Sequence, residues 1–546
     1  MTRNDRRSTE RLSEMAVEKD VDFIVVGSGS AGSVLAGRLS ENGRHKVLLL
    51  EAGGSDGTLK IQMPGLSYTT LYANPRYDWS FVSEPDPTRG GRTDFMPRGR
   101  VLGGTSSINS MSYLRGSPED YDTWAEMGNA GWDYQSLLPY FKRCESFDGP
   151  ASPLRGRAGP QPVSMLRSPH ALSKAFVESC VGLGIPFLPD VNAGQYEGVG
   201  YAQASERRGR RHSAARSYVW PARGRPNFDL VLDATAEQIL FEGIRAVGVR
   251  YLHEGKSVEA RASRAVVVSA GVFGSPQLLM LSGIGPAEEL RAFGIEVRGD
   301  LPGVGRNLQD HAGTSHTALV KTRTYNVMQG PFEKLFIGAR WMIRGDGPAS
   351  TPVAHVVGAH SFDTPDRMSR LQVLFCPGGF SMTEAGPRFL DRPAVAGLTN
   401  VHRPYSSGWV TLRSTDPRDP LRIQPNLLSD ARDVQTLVDG HKLMRRIFAS
   451  GPLGADVIEE IEPGETIRTD AELAAFVRES AAGVYHPSGT CKMGVDSESV
   501  VSPDLGVRGF EGLYVADASV MPFVVSANLS ATCMMMGEKL SEQLLA

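Results

Sequence analysis

The sequence predicts an α/β fold in which a discontinuous Rossmann-like domain frames a second domain. Three observations carry this. The apolar run 21–26 (VDFIVV) stops at a glycine cluster, a helical pattern fills 31–39, and a second apolar run, 46–50 (KVLLL), ends in Glu51. This is strand, turn, helix, strand. Runs with the continuous apolar character of buried strands recur at 228–232, 246–251, 265–269 (AVVVS) and, near the far end of the chain, 513–516 (LYVA). If these segments share one sheet, the chain between them must build another domain. The stretch 311–481 is the natural place for it, with strand-like runs at 356–361, 371–375 and 409–412 and a long helical pattern at 431–447.

The turn after the first strand is chemically specific. Gly27, Gly29 and Gly32 form GxGxxG between a predicted strand and a predicted helix. Gly27 suits a tight turn, Gly29 a close approach of pyrophosphate to the backbone, and Gly32 close packing of the helix. The helix N-terminus offers unpaired N–H groups to phosphate, and Glu51 is placed to accept from ribose hydroxyls. On this motif alone FAD and NAD both fit.

Composition narrows the function classes. The 546 residues carry 41% hydrophobic and 22% charged side chains, as globular proteins do. A net charge of -3 gives no general attraction to nucleic acid or to an anionic membrane. The five Cys include no CxxC pair, which argues against a disulfide framework or a zinc site and suits a cytoplasmic location. The histidines are too dispersed for a metal cluster. Residues 1–20 are highly charged and lack the apolar core of a secretory signal, so they read as a mobile extension. No apolar run is long enough to span a bilayer, so stable membrane insertion is not expected. The 60 glycines exceed ordinary usage, in keeping with a chain that folds tightly around a cofactor.

Five longer motifs follow in order: GRVLGGTSSINSMSYLRG (99–116), SAGVFGSPQLLMLSGIG (269–285), LPGVGRNLQDH (301–311), YHPSGTCKMG (485–494), and YVADASVMP with NLSATCMMMGEK (514–539). Together they resemble the GMC (glucose-methanol-choline) flavin oxidoreductase family over nearly the whole chain after Asp20. Val272 and Gly274 depart from the commoner Ala and Asn of the second motif. The resemblance implies FAD and an FAD-binding domain assembled from 21–160, 200–310 and 482–546. It also implies a substrate domain from 161–199 and 311–481, with an antiparallel sheet backed by helices. By the same resemblance Gly103, Gly104, Asn109 and Ser110 lie beside the flavin, Ala236 meets the adenine through its backbone, and Asp517 reaches the ribityl or pyrophosphate region. Some members attach the flavin through a His at the position of Ile108. Isoleucine has no nucleophile, so the FAD is expected to be noncovalent.

The resemblance also places His486 opposite the flavin N5 with Asn528 as its companion. Proton chemistry agrees. An alcohol of pKa about 16 would cost roughly 12 kcal/mol to ionise at neutral pH, at about 1.36 kcal/mol per unit. His486 must therefore take the hydroxyl proton as the hydride leaves carbon, while the Asn528 amide orients the oxygen. Val484 matches a small apolar position near the flavin C4a, where oxygen would meet reduced flavin. The expected function is oxidation of a primary alcohol, neutral polar or aromatic, to its aldehyde, with O2 favoured over a quinone or dye as acceptor. Choline or a sorbose-like sugar is the alternative, because a recognisable aromatic cage is missing from 311–400. Two other classes stay open: a hydroxynitrile lyase that keeps FAD without redox chemistry, and a flavin-bearing binding protein. Ser106, Ser107 and Ser488 lack a nucleophile elbow, and the basic stretch 207–216 reads as structural or solvated.

Overall fold

The computed structural model describes residues 17–66, 70–362, 370–383 and 386–546. Its first sheet has seven strands. Val17–Val26 lies between Val47–Leu50 and Lys256–Val268, all parallel, and Phe228–Val231 extends the parallel order beyond Val47–Leu50. Lys256–Val268 serves two neighbours on its other side. Its first half pairs antiparallel with Arg245–His253, which continues to Thr235–Glu242, and its last residues pair in parallel with Leu513–Val515. The apolar runs of the sequence are thus the central strands, buried on both faces: Ile24, Val25, Leu48, Leu49, Val266 and Val267 are fully enclosed. The strand–helix–strand expectation holds, with the helix at Ser30–Leu39. The first strand begins at Val17, inside the stretch read as a mobile extension; residues 1–16 lie outside the described residues.

The second sheet is antiparallel and also seven-stranded. Its order runs Val457–Glu462, Ala312–Val320, Ala394–Val401, Arg370–Cys376, Val356–Ser361, Gly198–Tyr201, with the short strand Ala482–Gly483 paired to the start of Ala312–Val320. Helices Ala171–Gly182, Ala431–Phe448 and Asp470–Ser480 supply Phe176, Leu437, Met444, Ile447 and Leu473 to a core shared with Val373, Phe375 and Val395. Two pieces depart from the sequence-based partition. The hairpin Trp409–Thr411 with Arg422–Gln424 buries Val410 and Ile423 in the core of the first sheet, and Gln161–Met165 sends Val163 there too. Both fall within stretches assigned by sequence to the substrate unit, because a run's apolarity does not say which core it joins.

Candidate active site

Between the two sheets lies a cavity of ≈ 2070 Å³, larger than the about 300–1,000 Å³ of an ordinary small-molecule site. One end is made by the glycine turn. Gly27 has φ +95°, and a Cβ there would lie 2.4 Å from the Ser269 carbonyl oxygen. Gly32 stands behind the wall: its Cβ would meet the Gly27 oxygen at 1.9 Å, so it lets the helix close on the strand. Gly29 faces open space, with nothing within 4 Å of a Cβ, and Gly104 packs against its Cα. Gly103 does not face the cavity either; its N–H donates to the Ser28 hydroxyl at 2.9 Å and ties the two turns together.

Three helices, Ser30–Leu39, Gly271–Leu281 and Ser530–Leu545, start at this cavity, and their N-terminal residues Ser30, Gly271 and Ser530 line it. Their dipoles turn positive ends toward it, as a pyrophosphate requires, although the Gly271 N–H is already taken by Asp517. Glu51 accepts from the backbone N–H groups of Ser28 (3.0 Å) and Gly53 (2.7 Å). Burial raises its pKa, and these bonds with the Ser28 hydroxyl oppose the rise. Asp517 lines the cavity while accepting from Gly271 N–H at 2.8 Å, Ser275 Oγ at 2.6 Å and Ser519 N–H at 2.8 Å. It therefore also fixes the helix start it faces. Asn109, Ser110 and Ala236 line the same space. Arg211 donates to the Asn109 side-chain oxygen Oδ1 at 2.8 Å, which gives one member of the basic stretch 207–216 a buried structural task. Ile108 is fully enclosed with Ile61, Leu71 and Val101. The open flank of Gly29, the helix starts and the enclosed acceptor Glu51 fit a dinucleotide.

In the wall of the same cavity the structure joins His486 and Asn528, distant in sequence. Segments 307–311 and 484–490 run side by side through Gln309 N–H to Ser488 O (3.1 Å), Ser488 N–H to Gln309 O (2.9 Å) and Val484 N–H to His311 O (2.9 Å). Tyr485 takes a left-handed backbone conformation, φ 71°, and its carbonyl accepts from Arg98 at 2.6 Å. The turn so made presents His486, whose own N–H donates to Asp310 at 2.8 Å. The Asn528 amide nitrogen lies 2.8 Å from His486 Nε2. An amide nitrogen can only donate, so Nε2 accepts and the imidazole proton sits on Nδ1, directed at His311 Nδ1 3.0 Å away. Asn528 Oδ1 is buried and has no protein partner among the described residues.

Burial drives His486 well below the ordinary imidazole pKa, and His311 and Arg98 act in the same direction. His311 falls to about 4 through burial. Asp310 is pushed up to about 7 by burial, against the pull of Arg98. His402 completes the cluster, its ring centre 5.6 Å from that of His311 and its Nδ1 against Tyr196 Oη, which donates to Ser526 O at 2.6 Å. The sequence reading included His311 in the motif LPGVGRNLQDH but did not join it to His486. Asp310, Arg98, His402 and Tyr196 were not singled out. The DH pair closing NLQDH carried a signal for two of them; the rest meet only through the fold. Among the described residues no group of His, Cys, Asp and Glu could hold a metal ion.

Comparison with known proteins agrees with the fold. A family model described as GMC oxidoreductase matches residues 21–313 with its N-terminal part and 404–537 with its C-terminal part. The chain belongs to the GMC oxidoreductase family. It is 41% identical to the oxygen-dependent choline dehydrogenase of Sinorhizobium medicae, over 96% of this chain and 95% of that one. With the mitochondrial choline dehydrogenase of Mus musculus it shares 40% identity over 95% and 88%. Among solved structures, pyridoxine 4-oxidase from Mesorbium loti superposes with a TM-score of 0.86 at 29% identity, covering 96% of this chain and 98% of the other. A formate oxidase from Aspergillus oryzae studied for modification of its FAD gives 0.88 at 26%, covering 97% and 98%. This GMC protein is an FAD-dependent oxidoreductase acting on CH–OH groups.

Proposed function

We propose that the protein oxidises a primary alcohol to the aldehyde, with His486 as general base and Asn528 as the residue that orients the substrate oxygen. The 2.8 Å contact between His486 Nε2 and the Asn528 amide at the cavity wall carries this reading. FAD, held by the glycine turn, Glu51 and the helix starts, supplies the hydride acceptor. The chain's own task is the proton. His486 is neutral at pH 7, and its Nε2 lone pair, which accepts from the Asn528 amide, receives the hydroxyl proton once that amide turns to the substrate oxygen. That a neutral acceptor is poised for the step is worth about 10² to 10⁴ in rate. His311 accepts from Nδ1 and keeps the ring in this tautomer, while Asp310 holds the His486 N–H and Arg98 the Tyr485 carbonyl before it.

Uncharged polar groups, Ser315, Thr399 and Asn400, line the cavity from the second sheet, which supports a neutral polar alcohol. A second reading, choline, rests on the choline dehydrogenases at about 40% identity over nearly the full chain; Glu462 and Glu479, also on the lining, would be its counter-charges. For the acceptor, Val484 supports O2. Its methyl group fills the space where a Cβ on Gly313 would fall, 2.7 Å away, so a small apolar side chain lines the cavity two residues before His486. A quinone or dye is the alternative. Five free, buried cysteines are in keeping with a cytoplasmic location, and among the described residues no helix is long and apolar enough to cross a membrane. Anaerobic mixing of the purified protein with a panel of alcohols including choline tests the reading: bleaching of the flavin by a primary alcohol supports it, and bleaching by none refutes it.

A further inference from the structure

The helix Pro331–Arg344 has its amphipathicity turned outward. Phe332, Leu335, Phe336, Met342 and Ile343 are 85%, 71%, 68%, 65% and 83% exposed. With exposed Ala339 they recur at i, i+3, i+4, i+7, i+10 and i+11, one continuous stripe along a helix. Such a patch amounts to several hundred Å² of apolar surface on one element, more than scattered exposed residues explain. The helix is nevertheless well built. Glu333 accepts from the Gly330 N–H at 3.3 Å, Gly345 closes the end at φ 64°, and Trp341 is buried with its Nε1 donating to Gly209 O at 2.6 Å and Arg210 over its ring at 4.4 Å. Its inner edge, Lys334, Ile337 and Gly338, lines the cavity that contains His486. The helix lies in the interval 314–403 that separates the two family matches.

We propose that this helix is an interfacial element that seats the protein reversibly on an anionic lipid bilayer, with the cavity beside it facing the membrane. An apolar stripe of Phe, Leu, Met and Ile bordered by cations on one helix is the pattern of peripheral anchors. The charge decides between a bilayer and a second copy of this chain. Lys334, Arg340 and Arg344 stand against Glu333 on the helix, a local positive excess in a chain of net charge -3. Glu333 is matched by Arg323 and Arg340 by Asp346, whereas Lys334 and Arg344 form no salt bridge among the described residues, Asp346 acting on Arg344 only at longer range. Two copies packed stripe to stripe would bring these cations together, while anionic headgroups neutralise them. The inference stands apart from the choice of alcohol.

Flotation of the FAD-loaded protein with phosphatidylcholine vesicles, with and without phosphatidylglycerol, tests it. The protein should float with the anionic vesicles, more weakly as salt rises, and roughly tenfold or more better than with phosphatidylcholine alone. Phe332→Ser with Phe336→Ser and Ile343→Ser should abolish flotation while flavin absorbance and melting temperature stay as in the parent. Lys334→Glu with Arg344→Glu should remove the preference for phosphatidylglycerol, and this pair decides the matter if the triple variant loses its flavin. A parent protein that stays unbound, or a folded triple variant that floats equally well, overturns the proposal. So does a dimer in gel filtration that the triple variant converts to monomer without any change in flotation.

Discussion

Replacing His486 with Ala removes the proposed general base, and the size of the loss follows from the geometry. Nε2 accepts from Asn528 at 2.8 Å and Nδ1 faces His311 at 3.0 Å, so the ring is fixed in its base-competent form before substrate arrives. Loss of a positioned general base costs about 10² to 10⁴ in rate, or about 3 to 5 kcal/mol of barrier. The contacts of the glycine turn and Glu51 do not involve His486, so the FAD-to-protein ratio should not change. The parent enzyme has a matching pH signature. Burial disfavours the protonated ring and lowers the His486 pKa, so the base form persists as pH falls past the ordinary value of about 6.5. Flavin reduction should stay level there and decline only at lower pH, as the coupled cluster of His311, His402 and His486 takes up protons. Anaerobic stopped-flow of flavin bleaching at saturating alcohol measures both. An unchanged rate in His486→Ala, or a parent rate that halves at about pH 6.5 or above, would refute the assignment.

Three further outcomes follow from particular contacts. Gly27→Ala should lower the melting temperature, because a left-handed residue costs about 1–3 kcal/mol and its Cβ would strike the Ser269 carbonyl; Gly29→Ala, open on that side, should melt near the parent when FAD-free yet lose FAD more readily on dilution. Acid precipitation should release intact FAD into the supernatant, since Ile108 is an enclosed hydrocarbon; colour retained by the precipitated chain would disprove noncovalent binding. Val484→Thr should slow reoxidation by O2 more than reduction by alcohol, measured by mixing substrate-reduced enzyme with oxygenated buffer, and equal slowing of both half-reactions would remove Val484 from the oxygen path.

Much of the architecture was legible because it is local. VDFIVV, KVLLL and AVVVS are apolar without interruption, as strands covered on both faces must be, and GxGxxG directly precedes a helix, so the nucleotide end of the cavity could be read from adjacent residues. The helix Ala431–Phe448 was equally plain from its period. The antiparallel additions were less so: Thr235–Glu242 is half-exposed and the start of Lys256–Val268 alternates, so neither shows the buried-strand signature. His486 and Asn528 were reached through motif resemblance, since nothing in their spacing says that they touch.

Through motif resemblance the sequence singled out His486 and Asn528 as the proposed base and its amide companion; by itself it determined the βαβ nucleotide frame and the absence of a nucleophile at position 108. Those depend on residue chemistry and on periodicities of a few residues. Tertiary structure alone decided that Asp310, His311, His402 and Arg98 surround His486, because their contacts cross long stretches of chain. It alone decided that Val410 and Val163 join the first core. It also decided which way the apolar stripe of Pro331–Arg344 faces: amphipathic spacing creates an apolar side, but only the position of Trp341 in the protein turns that side toward solvent.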